Sequence, residues 1–272
     1  MNAATQGHVL GQDVGWMLDH WASAKPEHPL LVWAPRAGEG RTWTYAQFRT
    51  DVRRLAAGLA ERGVGKGDHV LIHADNCPEA VLTWYACAVL GAVGVTTNTR
   101  SVAAELTFLI AKTQCVAAVT QPQFAELVRG AAPAIRFVAV TADNSGEPIA
   151  APVEGLAFAD LFADDTGRPE RPVEPMLPAG IVFTSGTTSK PKAVVHTHAN
   201  VVWAGRSGSR TVDLCGDDVY LMCLPFFHIN AQSWCLWSVL GVGATRCGWL
   251  SSRRSCPSST SNSASASTRT SV

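Results

Sequence analysis

The stretch Ile181-Val-Phe-Thr-Ser-Gly-Thr-Thr-Ser-Lys-Pro-Lys-Ala-Val-Val195 collects side chains suited to holding a phosphate. Ile181, Val182 and Phe183 read as a buried strand, and Ala193 to Val195 resume one. Between them stand Thr184, Ser185, Gly186, Thr187, Thr188 and Ser189, followed by Lys190 and Lys192 flanking Pro191. Gly186 lets backbone amides turn inward and approach an anion closely. The hydroxyls add donors, and a lysine adds a point charge for a phosphate tail. The pattern is not the Walker loop, in which a Gly-Lys-Ser/Thr run opens a helix; here no Gly-Lys pair occurs and the chain continues as strand. A generic Ser/Thr/Gly cluster of this kind is also what a solvated turn between two strands looks like.

Two further groups of residues invite chemistry. His196-Thr-His198-Ala-Asn200 has two imidazoles that a strand would put on one face. A metal needs three or four ligands, and no third is spaced nearby. A helix cap by His198 or Asn200 is the competing reading. In Asp217-Asp-Val-Tyr-Leu-Met-Cys-Leu-Pro-Phe-Phe-His-Ile-Asn230, a strand over 219–224 is broken by Pro225. An aromatic pair and His228 follow. A lone histidine there fits an ordinary core position equally well. The run from Ile229 to Gly241, with Trp234, Leu236, Trp237 and Leu240, reads as a helix, and its tryptophans as core.

The elements that must position these groups alternate along the chain. A short helix is expected over 14–24, and a hairpin over 30–33 and 41–43. Thr44 and Gln47 have capping-box spacing, and Phe48, Val52, Leu55, Ala56 and Leu59 form one apolar stripe behind them. Gly63 and Gly65 end that helix. Strands are expected over 69–73, 93–96, 115–119 and 137–140. Helices separate them: Pro78 to Leu90, stopped by Gly91, then 101–112 and 124–129. This alternation predicts an α/β fold, mostly parallel sheets with helices on both faces. Residues 141–178, rich in Pro, Asp, Glu and Gly, read as a surface connection around a short helix at 158–162 rather than as a domain boundary.

Composition bounds the function. The 272 residues are 47% hydrophobic, enough for a sizeable core, with formal net charge +0. That balance gives no argument for nucleic acid or an acidic membrane surface. The 8 cysteines include no Cys-x-x-Cys pair, and no secretory or targeting segment is visible, so reduced thiols in a cytoplasmic protein are expected. The most apolar run, 80–95, is shorter than the roughly 20 residues a membrane span needs. From residue 248 to 272 the sequence turns to Ser, Thr and Arg without apolar period, a composition for which disorder is the default. The expected organisation is therefore a domain over 1–247 and a tail over 248–272. A basic Ser-rich tail without aromatic platforms is a weak RNA ligand.

Thr-Ser-Gly-Thr-Thr-Ser-Lys-Pro-Lys resembles the signature loop of the adenylate-forming (AMP-binding) superfamily, which includes acyl-CoA synthetases, luciferases and peptide-synthetase adenylation domains. The commonest form has Gly where Ser189 and Ala193 stand. Ser189 is the variant associated with ligases resembling crotonobetaine/carnitine-CoA ligase. Leu-Pro-Phe-Phe-His resembles the family's second motif, and the Leu90-Gly-Ala92 turn with the strand leading to Asn98 fits as well. The resemblance covers about residues 14–245, the first half of a typical member. It implies that the domain over 1–247 is incomplete, from a truncated or frame-shifted product or from a genuine short protein. It implies ATP, Mg2+, coenzyme A and a small carboxylic acid as ligands. The acid attacks the α-phosphate, releasing pyrophosphate, and a thiol then takes the acyl group. It implies phosphate-holding roles for Thr184, Ser185, Gly186, Thr187, Thr188 and Lys192, and for His228 a place on the path between nucleotide and acyl group, with Phe227 second. No protein ligand for a metal is implied among these residues. The family's Tyr-Gly-x-Thr-Glu segment, ribose-binding Asp and catalytic lysine of a C-terminal domain are not visible, so little or no turnover is expected of this chain alone. A non-catalytic nucleotide-binding module is the alternative, and a phosphotransferase yielding ADP is a weaker one. The acid's identity and the oligomeric state are not legible.

Overall fold

The computed structural model describes residues 11–35, 37–149, 154–184 and 191–249. Helix α1 (Val14–Ala24) is capped by Asp13, whose carboxylate accepts the Trp16 N–H at 2.8 Å. β1 (Pro29–Ala34) and β2 (Arg41–Thr44) form an antiparallel pair. α2 (Tyr45–Glu61) starts at the expected capping box: Thr44 Oγ1 accepts the Gln47 N–H at 3.3 Å, and Gln47 Oε1 accepts the Thr44 N–H at 3.0 Å. The whole predicted stripe of α2 is buried.

The parallel sheet follows: β3 (His69–His73), α3 (Pro78–Leu90), β4 (Val93–Thr96), α4 (Ala103–Thr113), β5 (Ala117–Thr120), α5 (Ala125–Ala131), β6 (Phe137–Val140) and the short β7 (Leu156–Ala157). Pro78 occupies the first turn of α3, and Gly91 ends it with φ +83°, a conformation that costs a side chain little only in glycine. β8 (Pro178–Thr184) pairs parallel with β4, and β9 (Lys192–Thr197) turns back antiparallel. The order is β7-β6-β5-β3-β4-β8-β9. α6 (His198–Thr211), β10 (Val219–Met222), a π-helical segment (Ala231–Trp237), α7 (Ser238–Val242) and β11 (Thr245–Trp249) complete the described chain. β10, β11, β1 and β2 make a second, four-stranded sheet in that order.

The seven-stranded sheet divides two cores by the period of its strands. Val70 and Ile72 of β3 face the core containing α2 and α3, whereas Leu71 faces the one containing Leu106 and Ile110 of α4 and Val128 of α5. α3 lies between the sheets: Leu31 and Trp33 of β1 join it in the larger core, and Trp84, Tyr85, Ala86 and Cys87 are 0% exposed. Burial on all sides explains its continuous apolar sequence. No helix among the described residues is long and apolar enough to cross a membrane. Trp84 fixes the neighbouring strands. A Cβ on Gly94 of β4 or Gly180 of β8 would come within 2.8 or 2.9 Å of its indole, so these strands carry glycine where the ring crosses them.

Several boundaries differ from the sequence reading. β5 starts at Ala117, not Cys115. The expected helix over 229–241 is a π-helical segment continuing into α7. Pairing of β11 with β1 and β10 continues past Cys247 as far as Trp249 and Gly248, respectively. The 154–177 connection is tied to the core by Arg171. Its guanidinium pairs with buried Asp13 at 2.8 Å and donates to the Ala88 and Val89 carbonyls at 2.8 and 3.2 Å, satisfying the last turn of α3.

Candidate nucleotide site

The order of the large sheet reverses between β3 and β4: β5 lies on the far side of β3, whereas β8 lies beside β4. In an open parallel sheet, ligands bind outside the carboxyl ends of the strands at such a reversal. Polar side chains gather there. His73 Nδ1 shares a hydrogen bond with Thr97 Oγ1 at 2.8 Å, Thr120 Oγ1 donates to His73 O at 2.7 Å, and Thr99 Oγ1 donates to Asp75 Oδ1 at 2.8 Å. His73 is fully buried, and desolvation holds its imidazole down to about 4, hence neutral near pH 7.

β8 leads to this edge and β9 leads away. The last rung of their ladder pairs Thr184 with Lys192, and both residues are exposed. The two named site residues thus face each other across the mouth of the intervening loop, on strands whose inner ends are locked by Gly180, Ile181 and Val182. Ser185, Gly186, Thr187 and Thr188 lie outside the described residues. A strand-to-strand loop closed by a threonine and a lysine has the donors and charge for an anionic tail.

The His228 segment lies at the same edge. Pro225 to His228 forms a turn in which the His228 N–H donates to Pro225 O at 3.0 Å. Phe226 is 2% exposed and plugs the core, Phe227 is half-buried, and His228 is exposed with its ring 4.4 Å from that of Phe227. Two buried amides hold this turn. Asn76, just after β3, donates to Leu224 O at 2.9 Å and accepts the Phe226 N–H at 2.7 Å. Gln232, 1% exposed in the π-helical segment, donates to Phe226 O and Thr96 Oγ1, both at 3.0 Å. Thr96 Oγ1 makes a longer 3.5 Å contact with Ile181 O on β8. Sequence reasoning assigned no site role to Asn76, Gln232 or Thr96; the available signal was an amide at position 232 inside an otherwise apolar run.

His196 and His198 part company. His198 opens α6, buried, its Nδ1 accepting the Val14 N–H at 3.3 Å. Desolvation, with Arg171 adding to it, lowers its imidazole to about 4. His196 remains on β9 with its ring 5.4 Å from Trp237. The cap of α6 is Thr197 rather than His198 or Asn200, since the hydroxyl of Thr197 accepts the Asn200 N–H at 3.2 Å. Asn200 completes the box by accepting the Thr197 N–H at 3.1 Å. No group of three or more His, Cys, Asp or Glu among the described residues could hold a metal ion.

A model of the AMP-binding enzyme family matches residues 18–254. The chain is 34% identical over 245 residues to a crotonobetaine/carnitine–CoA ligase of Salmonella arizonae, covering 87% of this chain and 46% of the relative. It is 32% identical over 250 residues to the ligase of the same name from Salmonella typhimurium, with the same coverage. The chain thus spans about half the length of these relatives. Among solved structures, MbtA of Mycobacterium smegmatis superposes with TM-score 0.76 at 28% identity, over 90% of this chain and 45% of that one. The inhibitor-bound N-terminal domain of FACL13 from Mycobacterium tuberculosis does so with TM-score 0.72 at 29% identity, over 87% and 57%.

Proposed function

This chain belongs to the AMP-binding enzyme family, and from that premise we propose that it supplies the nucleotide-holding part of an ATP-dependent acid–thiol ligase. The observation that carries the reading is the Thr184–Lys192 rung, exposed at the carboxyl edge of β8 beside the strand-order reversal. In the first half-reaction a substrate carboxylate oxygen attacks the α-phosphorus of ATP. The bond from that phosphorus to the bridging oxygen breaks, and pyrophosphate leaves with its electron pair. Charge builds on the leaving group, and fixed donors and cations lower that barrier by being in place beforehand. Thr184, Ser185, Gly186, Thr187 and Thr188 are the proposed donors and Lys192 the proposed cation. His228 flanks the path to the acyl group. In the second half-reaction a thiolate, that of coenzyme A, attacks the acyl carbonyl and AMP leaves. The names of the curated relatives support a small, carnitine-like acid. We further propose that residues 1–247 form an incomplete AMP-binding domain.

Acid-dependent exchange of labelled pyrophosphate into ATP tests the first half-reaction. Exchange with carnitine or crotonobetaine, abolished in Lys192→Ala, is the expected result for a ligase part that retains chemistry. Saturable MgATP binding without exchange supports the alternative, a nucleotide-binding module derived from such a ligase. Formation of ADP rather than AMP contradicts both, since it marks γ-phosphoryl transfer.

A further inference from the structure

We infer that Asn76 and Gln232 are positioning residues that set the His228 turn against the sheet edge, and that Thr96 couples this turn to the strand entering the phosphate loop. The inference rests on the reading of His228 and the β8–β9 hairpin given above. The turn contains Pro225, two aromatic side chains and His228, and its exposed residues make few contacts that could fix it. Its backbone is held instead at three polar atoms: Leu224 O, Phe226 N–H and Phe226 O. Asn76 bonds the first two and Gln232 the third, so two side-chain amides from different elements share the hold. Asn76 comes from the end of β3 and Gln232 from the π-helical segment that follows the turn. Gln232 also donates to Thr96 Oγ1, at the end of β4. Both amides are buried, at 7% and 1% exposed; Asn76 uses its Nδ2 and its Oδ1, and Gln232 donates twice from Nε2, so neither can rotate away without leaving a buried polar group unpaired.

The geometry explains why Phe226 and not Phe227 is the anchor. The carbonyl and amide of Phe226 are both clamped, which drives its ring inward and leaves Phe227 and His228 on the open side. The π-helical register matters to the same end. A wide turn shifts the side chains after it by part of a turn relative to an α-helix, and such segments recur beside functional sites. Here Gln232 points back at Phe226 O from within that segment.

The test uses the full chain and the variants Asn76→Ala, Gln232→Met and Thr96→Val. Amide hydrogen exchange is followed in the peptide spanning 224–228, alongside thermal melting and the MgATP dissociation constant. His228 accessibility is read by diethyl pyrocarbonate modification and mass spectrometry, with and without MgATP. Asn76→Ala and Gln232→Met are expected to raise exchange in 224–228 by about tenfold, with a smaller rise for Thr96→Val. The MgATP affinity of the two amide variants should stay within about twofold, because neither amide bonds to the hairpin. MgATP should slow His228 modification in the parent chain and fail to do so in Gln232→Met. Unchanged exchange in 224–228 in both amide variants overturns the clamp. A variant that melts before exchange can be read is replaced by Gln232→Leu, which removes the donor without burying a charge. Absence of MgATP protection in the parent chain overturns the assignment of His228 and leaves the exchange result to judge the clamp independently.

Discussion

A polar cluster at the edge of one sheet and a buried cation in the middle of the other are partnered very differently. At the carboxyl edge of the seven-stranded sheet, polar groups are bonded to one another: His73 to Thr97, Thr120 to His73 O, Thr96 to Gln232. The result is an edge that can present Thr184, Lys192 and His228 on a fixed frame. In the four-stranded sheet, β11 runs between β10 and β1, where a parallel strand is ordinarily apolar throughout. Arg246 stands in its middle, 3% exposed. Its guanidinium donates to the Met222 sulfur at 3.0 Å, and its Nε has no hydrogen-bond partner. Burial pushes that guanidinium down to about 10, against weaker opposing effects of Cys235 and Tyr85. A bonded polar edge gives a fixed frame, whereas a buried charge whose hydrogen bond is to a thioether subtracts from stability.

Acidification probes the first sheet and has the largest expected effect. His73 and His198 are both held down to about 4 by desolvation, against about 6.5 in the unfolded chain. The unfolded state therefore binds more protons between these values. The contribution is fully present above pH 6.5 and is lost as pH falls toward 4. Denaturant unfolding at pH 7 and 5 should differ by about 3 kcal/mol, and the difference should shrink by about half in His198→Gln. The second sheet is probed by Arg246→Met, which removes the buried charge at similar volume. It should raise unfolding free energy by about 3 kcal/mol at pH 7, in proportion to the depressed ionisation. A destabilised Arg246→Met would mean that the guanidinium has a role in the fold that its neighbours do not reveal.

Lys192→Ala tests what the built edge presents. It should weaken MgATP binding roughly thirtyfold, about 2 kcal/mol, without altering the melting temperature, since the side chain is exposed. Thr44→Ala is the smallest of these effects. Loss of the capping box between β2 and α2 should cost about 1 kcal/mol in denaturant unfolding.

Much of this frame was legible in the sequence because its signals are local. Pro78 and Gly91 bracket α3, Thr44 and Gln47 mark the start of α2, and the period of apolar residues separates strand from helix. The glycine-flanked hydroxyl run and the Leu-Pro-Phe-Phe-His segment pointed to the family that the comparisons bear out. What escaped depends on contacts far apart in the chain. Asn76 and Phe226 are 150 residues apart, and Gln232 and Thr96 are 136 apart. No local pattern announces such pairs. The cap of α6 expected at His198 or Asn200 falls instead on Thr197: His198 is buried with its Nδ1 accepting the Val14 N–H, and the small hydroxyl before it fits the cap. The π-helical segment was equally hidden, as Trp234, Leu236 and Trp237 suit an α-helix and a wider turn alike.

The claim that the β8–β9 hairpin holds the phosphates of a nucleotide is tested most directly by amide hydrogen exchange over residues 181–195 as MgATP is added. The account predicts saturable protection of that peptide, weakened in Lys192→Ala in parallel with affinity. Saturable binding of MgATP that leaves exchange across 181–195 unchanged would contradict it, and would put the nucleotide elsewhere on the molecule.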